Sequence, residues 1–136
     1  MLRPNPIILY VEDDAKSRTI VKILFEKIMG YSNLTIFADS EDFQTRITGL
    51  DPKPNVIFLD IQIHPLDGFE MLKILRQNDT YRDAIVIAMT ANVMSHDVEK
   101  LKEIGFDGLI GKPLVKAAFP ELVERIIKGE SVWFIP

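Results

Sequence analysis

Side chains able to handle phosphate or a metal ion stand directly behind short apolar runs of this chain. Glu12, Asp13 and Asp14 follow 7–11, Asp60 follows 56–59, Thr90 follows 85–89, and Gly111 and Lys112 follow the weaker pair Leu109 and Ile110. If those runs are neighbouring strands, Glu12, Asp13 and Asp60 crowd together. Two carboxylates about 4 Å apart repel by about 4 kcal/mol at an effective dielectric of about 20, so the cluster needs a cation to stay ionised. A hard divalent ion and Lys112 would supply it. An all-oxygen donor set with few protein ligands suits Mg²⁺, which keeps several waters and completes its shell with phosphate oxygens; Mn²⁺ is the expected substitute. Asp60 beside such an ion can attack phosphorus and become an aspartyl phosphate. Phosphoryl transfer asks for little beyond positioning and charge neutralisation, and the metal, Lys112 and the Thr90 hydroxyl are enough for that.

The elements that must position these groups are legible in the hydrophobic pattern. The runs 7–11, 34–38, 56–59 and 85–89 are rich in Ile and Val and do not alternate with polar residues. That suits strands buried on both faces, as in a parallel sheet covered by helices. Between them lie helical stripes, such as Val21, Leu24, Phe25, Ile28 and, late in the chain, Phe119, Leu122, Val123, Ile126, Ile127. Gly30 closes the first helix, Asp39, Ser40, Glu41 and Asp42 start the second, and Asp14 is the expected N-cap of the first. The second helix is short, with Phe43, Ile47 and Leu50 as its buried face. Strand and helix alternate five times, which predicts a doubly wound α/β fold with right-handed crossovers. Ligands of such sheets bind beyond the carboxyl ends of the strands, where the residues named above stand.

Composition narrows the function classes. The 136 residues fit one domain with a core of its own. No cysteine is present, which excludes thiol catalysis, thiolate metal sites and a disulfide scaffold. A net charge of -4 without a basic stripe argues against direct nucleic-acid binding. Residues 1–6 lack a signal-peptide pattern and no apolar run reaches membrane-spanning length, so a soluble, cytoplasmic protein without membrane association is expected. The apolar ending 132–136 is expected to fold back onto its own domain, with docking to a neighbouring chain as the alternative.

The motifs ILYVEDD at 8–14, VIFLD at 56–60, PLDG at 65–68, MTA at 89–91 and GKP at 111–113 are weak singly and strong in this order. Over about residues 6–128 the chain resembles the receiver domains of two-component response regulators, including single-domain chemotaxis-type regulators. The resemblance implies a flavodoxin-like five-stranded parallel sheet of order 2-1-3-4-5 with five helices, residues 1–136 forming one receiver domain with an apolar tail at 129–136. It implies Asp60 as phospho-acceptor, Thr90 as switch hydroxyl, and Lys112 as the lysine that pairs with phosphate. Metal ligation falls to Asp13, Asp60 and the Gln62 carbonyl, with Glu12 acting through bound water. Gln62 and Asn92, two residues beyond Asp60 and Thr90, are placed to tune hydrolysis, and Ala91 and Leu109 bear on the switch. A cis bond is implied before Pro113. The donor would be a histidine kinase or a histidine phosphotransfer protein, the target a downstream protein, and a homodimer is left open. Such a domain catalyses its own phosphorylation and dephosphorylation and is not a turnover enzyme.

Two positions depart from the family pattern. His64 stands where proline is common, with Pro65 after it, which reshapes the loop beside the metal. Leu109 replaces the Tyr or Phe that swings inward as the threonine moves, so the switch must run through Thr90, helix four and strand five. Three other readings compete. An interaction module would keep the fold and bind without phosphorylation. A haloacid-dehalogenase-like phosphatase would need two aspartates separated by one residue after strand one, whereas Glu12 and Asp13 are adjacent. A flavin carrier would need a Ser/Thr/Gly-rich phosphate loop in place of Asp13, Asp14, Ala15, Lys16. His64 and His96 are expected to face solvent, neither having a second ligand at metal spacing.

Overall fold

A computed structural model describes residues 5–91 and 95–136. Strands β1 (Ile8–Val11), β2 (Leu34–Phe37), β3 (Val56–Asp60), β4 (Ile85–Thr90) and β5 (Gly108–Gly111) alternate with helices α1 (Ala15–Ile23), α2 (Phe43–Thr48), α3 (Gly68–Gln77), α4 (Ser95–Ile104) and α5 (Phe119–Ile127). Because successive strand side chains leave opposite faces, each strand feeds two core layers. Leu9, Val11, Ile57, Leu59, Val86, Ala88 and Leu109 pack with Phe43 and Ile47 of α2, Leu72 and Leu75 of α3 and Leu101 of α4. Ile8, Tyr10, Phe58, Ile87, Met89 and Ile110 pack on the other side with Val21 of α1 and Phe119, Val123 and Ile126 of α5. Burial on both faces is what the unbroken apolar runs required.

The expected five-stranded sheet is a six-stranded one, in the order β2-β1-β3-β4-β5-β6. The extra strand, β6 (Trp133–Phe134), comes from the apolar tail and runs parallel to β5, with Leu109 opposite Trp133 and Ile110 opposite Phe134. The physical reason is the open edge that β5 would otherwise present. The Leu109 N–H donates to the Val132 carbonyl at 2.8 Å. Val132 and Phe134 join the α1/α5 layer and Trp133 the opposite one, the alternation of a true strand. Backbone approaches so closely here that β5 must carry glycine at both ends. A Cβ on Gly108 would lie 2.6 Å from the Val132 carbonyl oxygen, and one on Gly111 would lie 2.8 Å from Pro136 Cδ.

Two helix details also differ from the sequence reading. After Ile23 the first helix passes into one π-helical turn, Leu24–Ile28, closed by Met29 N–H to Leu24 C=O at 3.0 Å. The added residue in that turn rotates the stripe, and Ile28, expected in the core, is 64% exposed. Helix α2 starts at Phe43, later than its polar signals suggested, since Asp42 sits at φ 48 without a side-chain cap and Ser40 serves another purpose. Its hydroxyl donates to the Leu66 carbonyl and accepts from the Leu66 N–H, both at 2.7 Å.

Candidate functional site

Helix α1 and strand β1 are locked together where the acidic pair stands. Asp14 caps α1 by accepting the Ser17 N–H at 2.9 Å, as expected, and Arg18 Nη1 donates to the Glu12 carbonyl at 3.0 Å. The Glu12 N–H donates to Phe37 C=O at 3.0 Å, holding the end of β1 against β2. One strand over, Asp60 closes β3, and the Ile61 N–H donates to Met89 C=O at 3.0 Å. On β4, the Thr90 carbonyl accepts the Lys112 N–H at 2.8 Å, fixing the start of the lysine loop. Thus four strand ends set four chemical groups.

The carboxylates do converge. One oxygen from each of Glu12, Asp13 and Asp60 lies within 4.8 Å of the others. Glu12 and Asp60 are buried and Asp13 is exposed, so the cluster opens to solvent on the Asp13 side. Lys112 Nζ lies 2.5 Å from Glu12 Oε1 and 3.5 Å from Asp60 Oδ2, and the Gln62 N–H donates to Asp60 Oδ1 at 3.1 Å. Burial raises both buried acids, yet their balances end on opposite sides. For Glu12, hydrogen bonds with Asp60 and Lys112, the lysine charge and the Asp14 N–H outweigh burial and hold it below its ordinary value. For Asp60, burial and then the hydrogen bond and charge of Glu12 push the carboxyl up to about 7, against the pull of Lys112 and the Gln62 N–H. Of the two buried carboxyls, Asp60 is thus the one that holds a proton more readily and Glu12 the one that ionises more readily. Hard, mutually close oxygens, one of them open to water, fit Mg²⁺ and leave room for its retained waters.

Of the other residues singled out in the sequence, Thr90 is buried and Ala91 is exposed beside it. The Gln62 side chain is exposed and, with Thr90, Ile61, Phe69 and Leu101, lines a cleft between α3 and α4. Leu109 stands apart from the cluster, fully buried between Ala88 on β4 and Trp133 on β6. Asn92 and the His96 side chain lie outside the described residues; His64 is exposed. The bond before Pro113 is cis, as are those before Pro52 and Pro65. The departure at His64 and Pro65 sits in a loop that Ser40 pins through Leu66. Sequence reasoning missed Ser40, and it missed Tyr10, whose hydroxyl donates to Glu12 Oε1 at 3.0 Å. The spacing of two between Tyr10 and Glu12 was the available signal, since it puts both on one face of β1.

The chain is similar to known proteins in both sequence and fold. The polar-differentiation response regulator DivK of Brucella anthropi is 28% identical over 120 residues, covering 88% of this chain and 94% of DivK. The osmosensing histidine protein kinase SLN1 of Saccharomyces cerevisiae is 28% identical over 110 residues, 79% of this chain but 9% of the kinase. Among solved structures, the receiver domain of sensor histidine kinase PA1611 from Pseudomonas aeruginosa PAO1, with a magnesium ion coordinated in its active site cleft, superposes with a TM-score of 0.76 at 25% identity over 92% of this chain and 99% of that one. The family described as "Response regulator receiver domain" matches residues 8–126, a stretch that takes in Glu12, Asp13, Asp60, Thr90 and Lys112, and the chain belongs to that family.

Proposed function

We propose that this chain is a phosphorylation-dependent switch whose acceptor is Asp60. The observation that carries the reading is the meeting of Glu12, Asp13 and Asp60 oxygens within 4.8 Å of one another, with Lys112 Nζ 3.5 Å from Asp60 Oδ2. The donor is a phosphohistidine on a histidine kinase or phosphotransfer protein. An Asp60 carboxylate oxygen attacks phosphorus, the phosphorus–nitrogen bond breaks, and the histidine ring keeps the electron pair and takes up a proton. Asp13, Asp60, the Gln62 carbonyl and, through water, Glu12 would hold Mg²⁺ or Mn²⁺, which supplies positive charge for the phosphoryl oxygens. Lys112 moves toward those oxygens, and the Thr90 hydroxyl donates to them. The displaced Thr90 biases α4 and the β5–β6 edge between two states, and a downstream protein reads the difference. The chain acts on itself and turns over no separate substrate; its setting is the cytoplasm. Exposure to acetyl phosphate with Mg²⁺ is expected to add one phosphoryl group to the intact mass, and Asp60→Asn to abolish that addition. An unchanged mass in the parent would end this reading.

One observation favours a second reading, an interaction module that works without phosphate. Leu109 is fully buried beneath β6 and has no ring to swing. Partner affinity indifferent to beryllofluoride would select it.

A further inference from the structure

Beneath the acidic pocket lies a hydroxyl that phosphoryl transfer itself does not require. Tyr10 is fully buried on β1, in the core layer that holds Phe25, Phe58 and Phe119, and its hydroxyl reaches up to Glu12. Glu12 Oε1 accepts from both the Tyr10 hydroxyl at 3.0 Å and Lys112 Nζ at 2.5 Å, while Oε2 accepts the Asp14 N–H at 3.3 Å. Lys112 is a full ångström closer to Glu12 than to Asp60, 2.5 against 3.5 Å. The resting lysine is therefore parked on the carboxylate that does not accept phosphate. For Lys112 to serve the phosphoryl group it must leave Glu12, whose side chain is 0% exposed. A buried carboxylate that loses its paired ammonium is costly unless other donors remain.

We infer that Tyr10 is a positioning residue: its hydroxyl stays on Glu12 when Lys112 departs, and so sets how readily the lysine passes to phosphate on Asp60. This rests on the function proposed above and names the group that regulates its rate. The hydroxyl is aimed at one oxygen that it shares with the lysine. The apolar core side chains that pack with it, among them Phe25, Phe58 and Phe119, need no oxygen there.

The test is Tyr10→Phe, which removes one oxygen and keeps the ring in its packing. With acetyl phosphate at saturating Mg²⁺, the phosphorylation rate is expected to fall about tenfold, the scale of one hydrogen bond to a charged group. Mg²⁺ affinity, followed calorimetrically, should change less than about threefold, because Asp13 and Asp60 keep their places. In the metal-free protein, the Lys112 ammonium protons seen by NMR should exchange with water more slowly in the variant, since Glu12 then leans harder on its lysine. In a Lys112→Ala background the same tyrosine change should have no further effect on rate, as expected of two residues acting through one contact. A variant that melts lower but phosphorylates at the parent rate overturns the inference and leaves Tyr10 a satisfied core hydroxyl. So does a loss that persists in the Lys112→Ala background, or a metal affinity that falls as far as the rate. A parent that accepts no phosphoryl group overturns the proposed function as well, which separates the two failures.

Discussion

At the carboxyl ends of β1 and β3 the chain buries charges of conflicting sign and demand, whereas along β5 and β6 it buries backbone against backbone with nothing in conflict. In the first region Glu12 and Asp60 share one lysine, and Asp60 is held up to about 7 by burial and by Glu12. In the second, the Leu109 N–H meets the Val132 carbonyl at 2.8 Å and both core layers receive an apolar side chain from the tail. The difference shows where this domain accepts instability: at the strand ends that carry the acidic cluster, and not at the edge that closes the sheet. The proposed function needs a carboxylate close to other carboxylates, and among the described residues no buried side-chain polar atom is left without a partner to add to that cost.

The edge should therefore tolerate least. Gly108→Ala would set a Cβ 2.6 Å from the Val132 oxygen and 2.9 Å from Ile87 Cδ1, and the first of these is backbone that cannot step aside without unpairing β6. Destabilisation of about 2–3 kcal/mol is expected from such overpacking, measured by urea titration. Trp133 fluorescence should shift to the red as the ring leaves its half-buried place. An unchanged midpoint would erase the contrast between the two regions.

The acidic end should respond in the opposite direction. Asp60 has a folded-state value raised to about 7, above that of an unfolded aspartate, so its favourable contribution is fully present below about pH 4 and is lost as the pH rises through about 7. Glu12, held below its ordinary value, contributes above the unfolded glutamate value and loses that contribution only in acid. Between these limits the metal-free chain should weaken as Asp60 ionises. Asp60→Asn keeps an acceptor for the Gln62 N–H and removes the charge, so it should stabilise the metal-free protein by about 1–2 kcal/mol near pH 8. That gain should shrink as the pH falls and vanish below about pH 4, where the parent carboxyl is protonated in the folded and the unfolded chain alike. Thermal melts of both chains at the two pH values check the sign; a variant weaker than the parent at the higher pH would show that the pocket holds no electrostatic strain.

How much of this was readable in advance follows from what kind of interaction carries each feature. Glu12, Asp13, Asp60 and Lys112 could be assembled on paper because each follows an apolar run, and a parallel sheet aligns the ends of its strands. Strand β6 could not, since two residues carry no periodicity and its pairing depends on an edge formed more than twenty positions earlier. Ile28 was misplaced because a stripe read at 3.6 residues per turn fails through a π turn. Ser40 read as a helix cap, yet the chain spends its hydroxyl on Leu66, a choice visible only once the β3–α3 loop is in place. Tyr10 was counted as core, and its ring is core; the oxygen at its tip belongs to the site.

The smallest test probes how the quiet edge is held to the helix that the switch would move. Lys102 on α4 places its Nζ 5.2 Å from the centre of the Trp133 ring, bridging α4 to β6 over the top of β5. The same ammonium lies 3.6 Å from Glu99, an exposed pair in the same helix that contributes little. Cation–π attraction at an exposed site is worth about 0.5–1 kcal/mol, so Lys102→Gln should cost about 0.5 kcal/mol in urea. It should leave the phosphorylation rate unchanged, because the site at the strand ends is built from other groups. If instead the rate changed while the stability did not, α4 would be gripping β6 as part of the switch, and the line drawn between a reacting region and an inert edge would have to move.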